Sequence, residues 1–500
     1  MIVLRKDKKM KRIKRFAALG LALILAVSTA ACGKSGASGS DSASSNSNTG
    51  DKGAFRHITI GSWWRQYYDS TDESMDASSD WTANQPVEGD DAETANSKAI
   101  NREVSQAKWD LVKKLEDKYN CDYEWVNLTF DGTQESLNTS VLAGSPDCDI
   151  YMVQSSMAIP AQSNGLLVDL KTILPADHDL FTDQKVFSYL DLGDGKACIL
   201  QVNGNFSNTY PIGFNVQMLK DNNLEDPRDL YERGEWTWDK FIEYCQKLTQ
   251  DTDGDGKTDQ YGYCGYAGET LSELLMSNGT NIAGGKDCNL TSAPVGECLQ
   301  MMQDMYNKYN VCYPYDYSAD GGKPSDSMRR QYNQGNIAFF PAAVWVMNDS
   351  GNYPEGKEGN LTWDVAFVRW PVGPSGNKDT NGGYKANNAN FFVIPVGVKE
   401  PEKIFNFLYD LYNWFDGDTS KRDNPALLNW WYNETAKVKE LNDANFEVQK
   451  DCLSHPNFEL YEDLGVSYDL ESIINGSMTP AQFQETYKQS FQDALDAIFK

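Results

Sequence analysis

Short apolar strands separated by amphipathic stretches decide what this chain can build. Residues 55–62 alternate around Ile58 and Ile60, residues 121–128 read as a second strand, and 148–153 as a buried third. Between the first two, 99–118 carry Ile100, Val104, Trp109, Leu111, Val112 and Leu115 among alternating charges, the pattern of an amphipathic helix. A second helix is expected over 131–142. Strand–helix–strand–helix–strand order at this spacing predicts an α/β fold with a parallel sheet flanked by helices.

The chain has 500 residues, more than one core usually organises, so two lobes are expected. Beyond the first lobe, 206–216 read as an extended segment, and 237–249 as a helix with Thr237 as its N-cap. Further helices are expected at 270–277, 294–309, 401–415, 427–442 and 480–498. Strands are expected within 336–348, 363–370 and 390–396. Residues 66–98 form a polar stretch unusually long for a loop inside a domain. No internal repeat is visible.

The N-terminus is a separate device. Residues 5–15 hold eight Lys or Arg and one Asp, and 16–31 read FAALGLALILAVSTAA. A basic region, a short apolar run and small residues make an export signal, and the run is too short for a comfortable membrane span. Cys32 follows Thr29-Ala30-Ala31, which resembles a bacterial lipobox with Cys32 as the lipidated first residue, although the usual Leu three positions earlier is missing. Met1 and Met10 are both candidate starts. Residues 32–53, rich in Gly, Ser, Asn and Asp, read as a flexible tether. No later apolar run is long enough to span a membrane.

The net charge of −27 makes the chain a poor partner for nucleic-acid phosphates. Nine cysteines remain after Cys32, at 121, 148, 198, 245, 264, 288, 298, 312 and 452. Their odd number, dispersion and apolar contexts favour buried free thiols, with Cys288 and Cys298 as candidates to pair. No Cys/His cluster suggests zinc.

Several segments, in order, resemble family 1 extracellular solute-binding proteins, the carbohydrate-binding components of ABC importers. They are Gly144-Ser145-Pro146-Asp147-Cys148-Asp149-Ile150, Gly165-Leu166-Leu167-Val168-Asp169-Leu170, Tyr210-Pro211-Ile212-Gly213-Phe214-Asn215, Trp236-Thr237-Trp238-Asp239-Lys240-Phe241, and Gly335-Asn336-Ile337-Ala338-Phe339-Phe340 through Trp345. The first departs from the family pattern by an inserted Cys-Asp pair. The resemblance implies a two-lobe, periplasmic-binding-protein-like fold of type II, each lobe a sheet flanked by helices, with a cleft between. It implies an N-terminal lobe of 54–209 and 385–418 and a C-terminal lobe of 210–384 and 419–500. It also implies a monomer, lipid-anchored outside the cytoplasmic membrane of a Gram-positive bacterium, that captures an oligosaccharide and presents it to permease subunits.

Sugars offer flat apolar faces ringed by hydroxyls, so their sites need aromatic platforms and planar hydrogen-bonding groups. Trp63 and Trp64 lie just past the first strand, where open α/β sheets bind ligands, with Arg65 beside them. Gln154, Ser155 and Ser156 hold the analogous place after the third strand, with helix capping by a serine as the alternative. Tyr210 opens the crossing between lobes, as hinge packing or as a stacking ring. The resemblance points to Trp345, and to Trp430 or Trp431, as further rings. Glu269, in an expected loop, and Asn387, Asn388 and Asn390 complete the candidates.

Asp251, Asp253, Asp255 and Asp259 fall at loop positions 1, 3, 5 and 9, with Gly256 at 6 and the Lys257 carbonyl at 7, which suits calcium. Position 12 is Gly262, so an EF-hand is incomplete, and a structural calcium is expected. Competing readings are a binding lipoprotein for a peptide or polyol-phosphate, a structural lipoprotein, and a secreted glycoside hydrolase. No motif selects a catalytic carboxylate pair, the three histidines form no compact group, and Gly-x-Ser-x-Gly is absent. The expectation is a binding protein that is not an enzyme.

Overall fold

The computed structural model describes residues 54–63, 110–202, 209–314, 334–342, 363–385, 390–413 and 439–499. β1 (Arg56–Ser62) pairs in parallel with β2 (Cys121–Asn127), Arg56 opposite Cys121 and Ser62 opposite Asn127. β3 (Ile150–Val153) pairs in parallel on the other side of β1. α1 (Phe130–Leu142) follows β2, and α2 (Ser155–Ser163) follows β3.

Strand side chains alternate between faces, and β3 uses both. Tyr151 and Val153 pack with Leu137, Val141, Met157 and Ala158 of α1 and α2. Ile150 and Met152 share the opposite face with Ile58, Ile60, Tyr123 and Trp125. These meet Ile404, Phe405, Leu408 and Leu411 of α6 (Pro401–Tyr412). The sheet is thus covered on both sides, which is why β3 reads as an unbroken apolar run.

The three strands that predicted a parallel sheet do pair in parallel, and the rest of this sheet adds antiparallel strands to them. β4 (Phe187–Tyr189) and β5 (Leu200–Val202) pair antiparallel, and β11 (Phe391–Val393) lies antiparallel between β3 and β5. The order is β2-β1-β3-β11-β5-β4. β11 returns from the second sheet and enters from the carboxyl edge of β3, so it must run against β3.

The second sheet has the order β7-β8-β6-β9. β6 (Ile212–Asn215) pairs antiparallel with β8 (Ile337–Pro341) and with β9 (Val365–Val368), and β7 (Tyr261–Tyr263) pairs in parallel with β8. The expected extended segment 206–216 ends one residue early. Residues 203–208 lie outside the described residues, and Asn215 ends β6 by accepting from the Met218 N–H at 3.0 Å, which starts a helix at Val216.

On one face lies α3 (Trp238–Leu248), started by Thr237, whose hydroxyl accepts from the Lys240 N–H at 3.4 Å. Its Phe241 sits among Trp236, Tyr263, Phe339 and Trp370. On the other face lies α7 (Lys439–Leu453), of which only the start was expected as a helix. Buried Asn445 of α7 accepts from the Phe367 N–H at 2.7 Å and donates to the Val365 carbonyl at 3.0 Å. It thereby satisfies the outer backbone of β9, an edge strand in this sheet order. α4 (Ala267–Ser277), α5 (Ala293–Asn307) and α8 (Pro480–Ile498) are further long helices, and residues 110–119 form the described part of the helix expected over 99–118. None of the described helices is long and apolar enough to cross a membrane.

The nine described cysteines are all free thiols. Cys298 is buried within α5 and donates to the Pro294 carbonyl at 3.1 Å, so the Cys288–Cys298 bridge is not formed. Burial pushes the Cys148 thiol up to about 11 and Cys198 up to about 12, which keeps both protonated and inert.

Candidate functional site

The segments after β5 and before β11 each carry the chain between the sheets. Their described parts run side by side. Thr209 forms an antiparallel bridge with Tyr384, and the Trp370 indole donates to the Tyr210 carbonyl at 3.0 Å. β10 (Tyr384–Lys385) pairs in parallel with β12 (Pro456–Asn457). A Cβ on Gly383 would come within 2.5 Å of the Cys452 carbonyl oxygen, so the return segment passes where a side chain would collide with the end of α7.

The strand register brings several candidates to one edge. Ser62 ends β1, and Trp63 follows it, half-buried. Val153 ends β3, and Gln154 follows as the N-cap of α2 without a side-chain capping bond. Phe391 lies opposite Val153, which sets Asn390 level with Gln154. Trp63, Gln154 and Asn390 therefore share the carboxyl edge of the parallel strands, where helix N-termini and loops leave room for ligands. Ser155 and Ser156 occupy the first turn of α2. Neither is its cap, and Ser155 is only 2% exposed.

Sequence reading missed Phe130 at this edge. It opens α1, is 42% exposed, and meets Trp63 edge to face at 5.4 Å between centroids. Its helix is capped by Thr129, whose hydroxyl accepts from the Gly132 N–H at 2.9 Å. That Thr-x-x-Gly start was the available signal, because it fixes Phe130 at the mouth of a helix instead of inside it.

The matching edge of the second sheet lies where β6 begins and β7 and β8 end. Tyr210 is there, buried with Cys264, Ile337, Phe340, Ala342, Val365 and Phe367. Glu269 is not in a loop as expected. Ala267 starts α4 immediately past β7, and Glu269 sits in its first turn. Burial, then the neighbouring Glu462 carboxylate, push its carboxyl up to about 7. Lys385 is buried and ion-paired to Glu462, with its ammonium 5.9 Å from the centre of the Tyr461 ring. The Tyr461 hydroxyl donates to the Gly268 carbonyl at 2.9 Å. This buried polar group anchors the start of α4 to the segment that re-enters the first lobe.

The acidic loop forms a tight nest. Asp251 accepts from Gly254 N–H at 2.7 Å and from Gly256 N–H at 2.8 Å, and these bonds hold its carboxyl below the usual range. Gly256 takes a φ of 87°, where a side chain would strain the backbone. Asp251, Asp253 and Asp259 each place a carboxylate oxygen within 4.8 Å of the others. Asp255 and Lys257 are not part of that trio. The Asp255 carboxylate instead accepts from the Lys257 N–H at 2.8 Å. Trp64, Arg65, Trp345, Asn387, Asn388, Trp430, Trp431 and Cys32 lie outside the described residues.

Two helix-flanked sheets joined by paired crossings define a two-lobe solute-binding fold. Residues 110–413 match the bacterial extracellular solute-binding proteins, and the chain belongs to that family. No curated protein matches it by sequence. Solved structures share the fold. An ABC substrate-binding protein from Listeria monocytogenes, in complex with cycloalternan, is 14% identical with a TM-score of 0.54, over 88% of this chain and 97% of that one. The maltose/maltodextrin-binding domain from Bdellovibrio bacteriovorus bound to maltotriose is 14% identical with a TM-score of 0.52, over 78% and 96%. UgpB from Mycobacterium tuberculosis, in complex with glycerophosphocholine, is 14% identical with a TM-score of 0.51, over 80% and 97%.

Proposed function

We propose that this protein captures a neutral oligosaccharide outside the cell and delivers it to an ABC importer. The observation that carries the reading is the Trp63–Phe130 ring pair beside Gln154 and Asn390 on one sheet edge. Rings suit the apolar face of a sugar, and planar amides suit its hydroxyls. The cycloalternan and maltotriose complexes of the similar folds support a carbohydrate. The glycerophosphocholine complex favours the second reading, a phosphate-bearing or other non-sugar solute, because the same fold accommodates one.

In this reading Cys32 carries lipid, the tether 32–53 holds a monomer at the outer face of a Gram-positive cytoplasmic membrane, and permease subunits receive the closed form. In the same reading one lobe comprises 54–209 with 385–418, and the other 210–384 with 419–500. The cycle involves capture, closure and release, with no covalent step. Calcium in the Asp251–Asp259 loop serves as a structural ion, and the three convergent carboxylates support it.

The test is a thermal-shift screen of the mature protein against soluble oligosaccharides and glycerophosphodiesters, with calcium present. A ligand specific for the folded state raises the transition in proportion to the logarithm of its excess over Kd. A rise with one glycan series is expected. A rise only with phosphodiesters, or with nothing, overturns the carbohydrate reading.

A further inference from the structure

Resting on the carbohydrate reading, we infer that the first-lobe edge is a polarised site. The Phe130–Trp63 pair takes the apolar face of one sugar ring, and Gln154 with Asn390 takes the hydroxyls of another. The ligand is then at least a disaccharide lying across the strands, and Phe130 is a specificity-determining residue.

The strand order supplies the argument. Phe130 follows β2, Trp63 follows β1, Gln154 follows β3, and Asn390 precedes β11, and these four strands are consecutive neighbours. Adjacent strands stand about 4.8 Å apart, so β2 and β11 are separated by roughly 14 Å. That span exceeds one pyranose ring. The rings sit at one end of it and the amides at the other.

Phe130 is also exposed, although Leu137 and Val141 of the helix it opens are buried. Among the described residues three large hydrophobic side chains are exposed: Phe55, Phe130 and Leu142. Phe55 precedes β1 and Leu142 ends α1, so both lie toward the opposite edge of the sheet. Phe130 alone of the three opens onto the carboxyl edge, and its ring is held against Trp63. A phenyl ring has no polar tip, so what it offers a ligand is an apolar contact.

The experiment is calorimetric titration of the wild type, Phe130→Ala, Phe130→Trp and Leu142→Ala. The probes are gluco-, xylo-, manno- and fructo-oligosaccharides together with their monosaccharides. Phe130→Ala should weaken oligosaccharide binding by about tenfold, the loss expected of one aromatic contact, and leave the melting temperature unchanged. Phe130→Trp should restore affinity, and Leu142→Ala should match the wild type. A wild type that binds a monosaccharide as tightly as its trisaccharide overturns the polarised site while the carbohydrate reading stands. So does a Phe130→Ala protein with wild-type affinity. A wild type that binds no glycan overturns the carbohydrate reading, and the inference with it.

Discussion

Glu269 shows how one side chain records its surroundings. Its carboxyl is raised from 4.5 to about 7, chiefly by burial. Between those values the folded protein keeps a proton that the unfolded chain has lost. Stability contributed here therefore falls as pH rises through that window, and the penalty is complete above it. Glu269→Gln should consequently gain about 1–3 kcal/mol over the wild type at pH 8 and little at pH 4.5. Denaturant unfolding of both proteins at the two pH values checks this, and a gap independent of pH would refute it. Glu269 was nominated from sequence, but its place in a helix was not legible, because Tyr266-Ala267-Gly268 carries no capping side chain. Thr237 was legible, since a threonine ahead of an apolar periodic run has one plain use. Phe130 was overlooked because apolar residues beginning helices are usually core, and only the fold shows this one left open.

At the scale of elements, the acidic loop offers the clearest test. Its carboxylates accept backbone N–H bonds, which tighten the turn and keep like charges close. Calcium at a hundredfold excess over its Kd should stabilise the protein by about 2.7 kcal/mol, a gain that chelator removes and Asp253→Asn reduces. A melting curve indifferent to calcium and chelator would exclude the site. The three parallel strands and their helices were readable from periodicity, because each buries two faces or one stripe of its own. The antiparallel strands β4, β5 and β11 were harder. A three-residue strand carries too few alternations to declare its partner, and its direction is set by where the chain comes from.

For the whole molecule, the paired crossings are where a two-lobe binding cycle would bend. Ligand that touches both sheet edges favours the closed arrangement by the difference in its affinity for closed and open forms. Small-angle scattering should show a smaller radius of gyration on saturation with the glycan identified by the thermal screen. An unchanged radius would argue against closure on ligand. That the chain has two sheets followed from length and pattern. That the first sheet is completed by a strand from beyond the second came only with the family resemblance, since no local signal says that residues 391–393 belong with residues 150–153.

The interleaving has a consequence in time. β3 is unpaired on one side until a segment some 240 positions later has been synthesised and threaded beside it. Such remote pairing makes folding slow relative to helix formation. A chain leaving the cell N-terminus first would pass most of its length across the membrane before its first lobe could close. Under the proposed export, the arrangement that sets Asn390 beside Gln154 would leave the emerging polypeptide unfinished, and so suited to crossing as an extended thread.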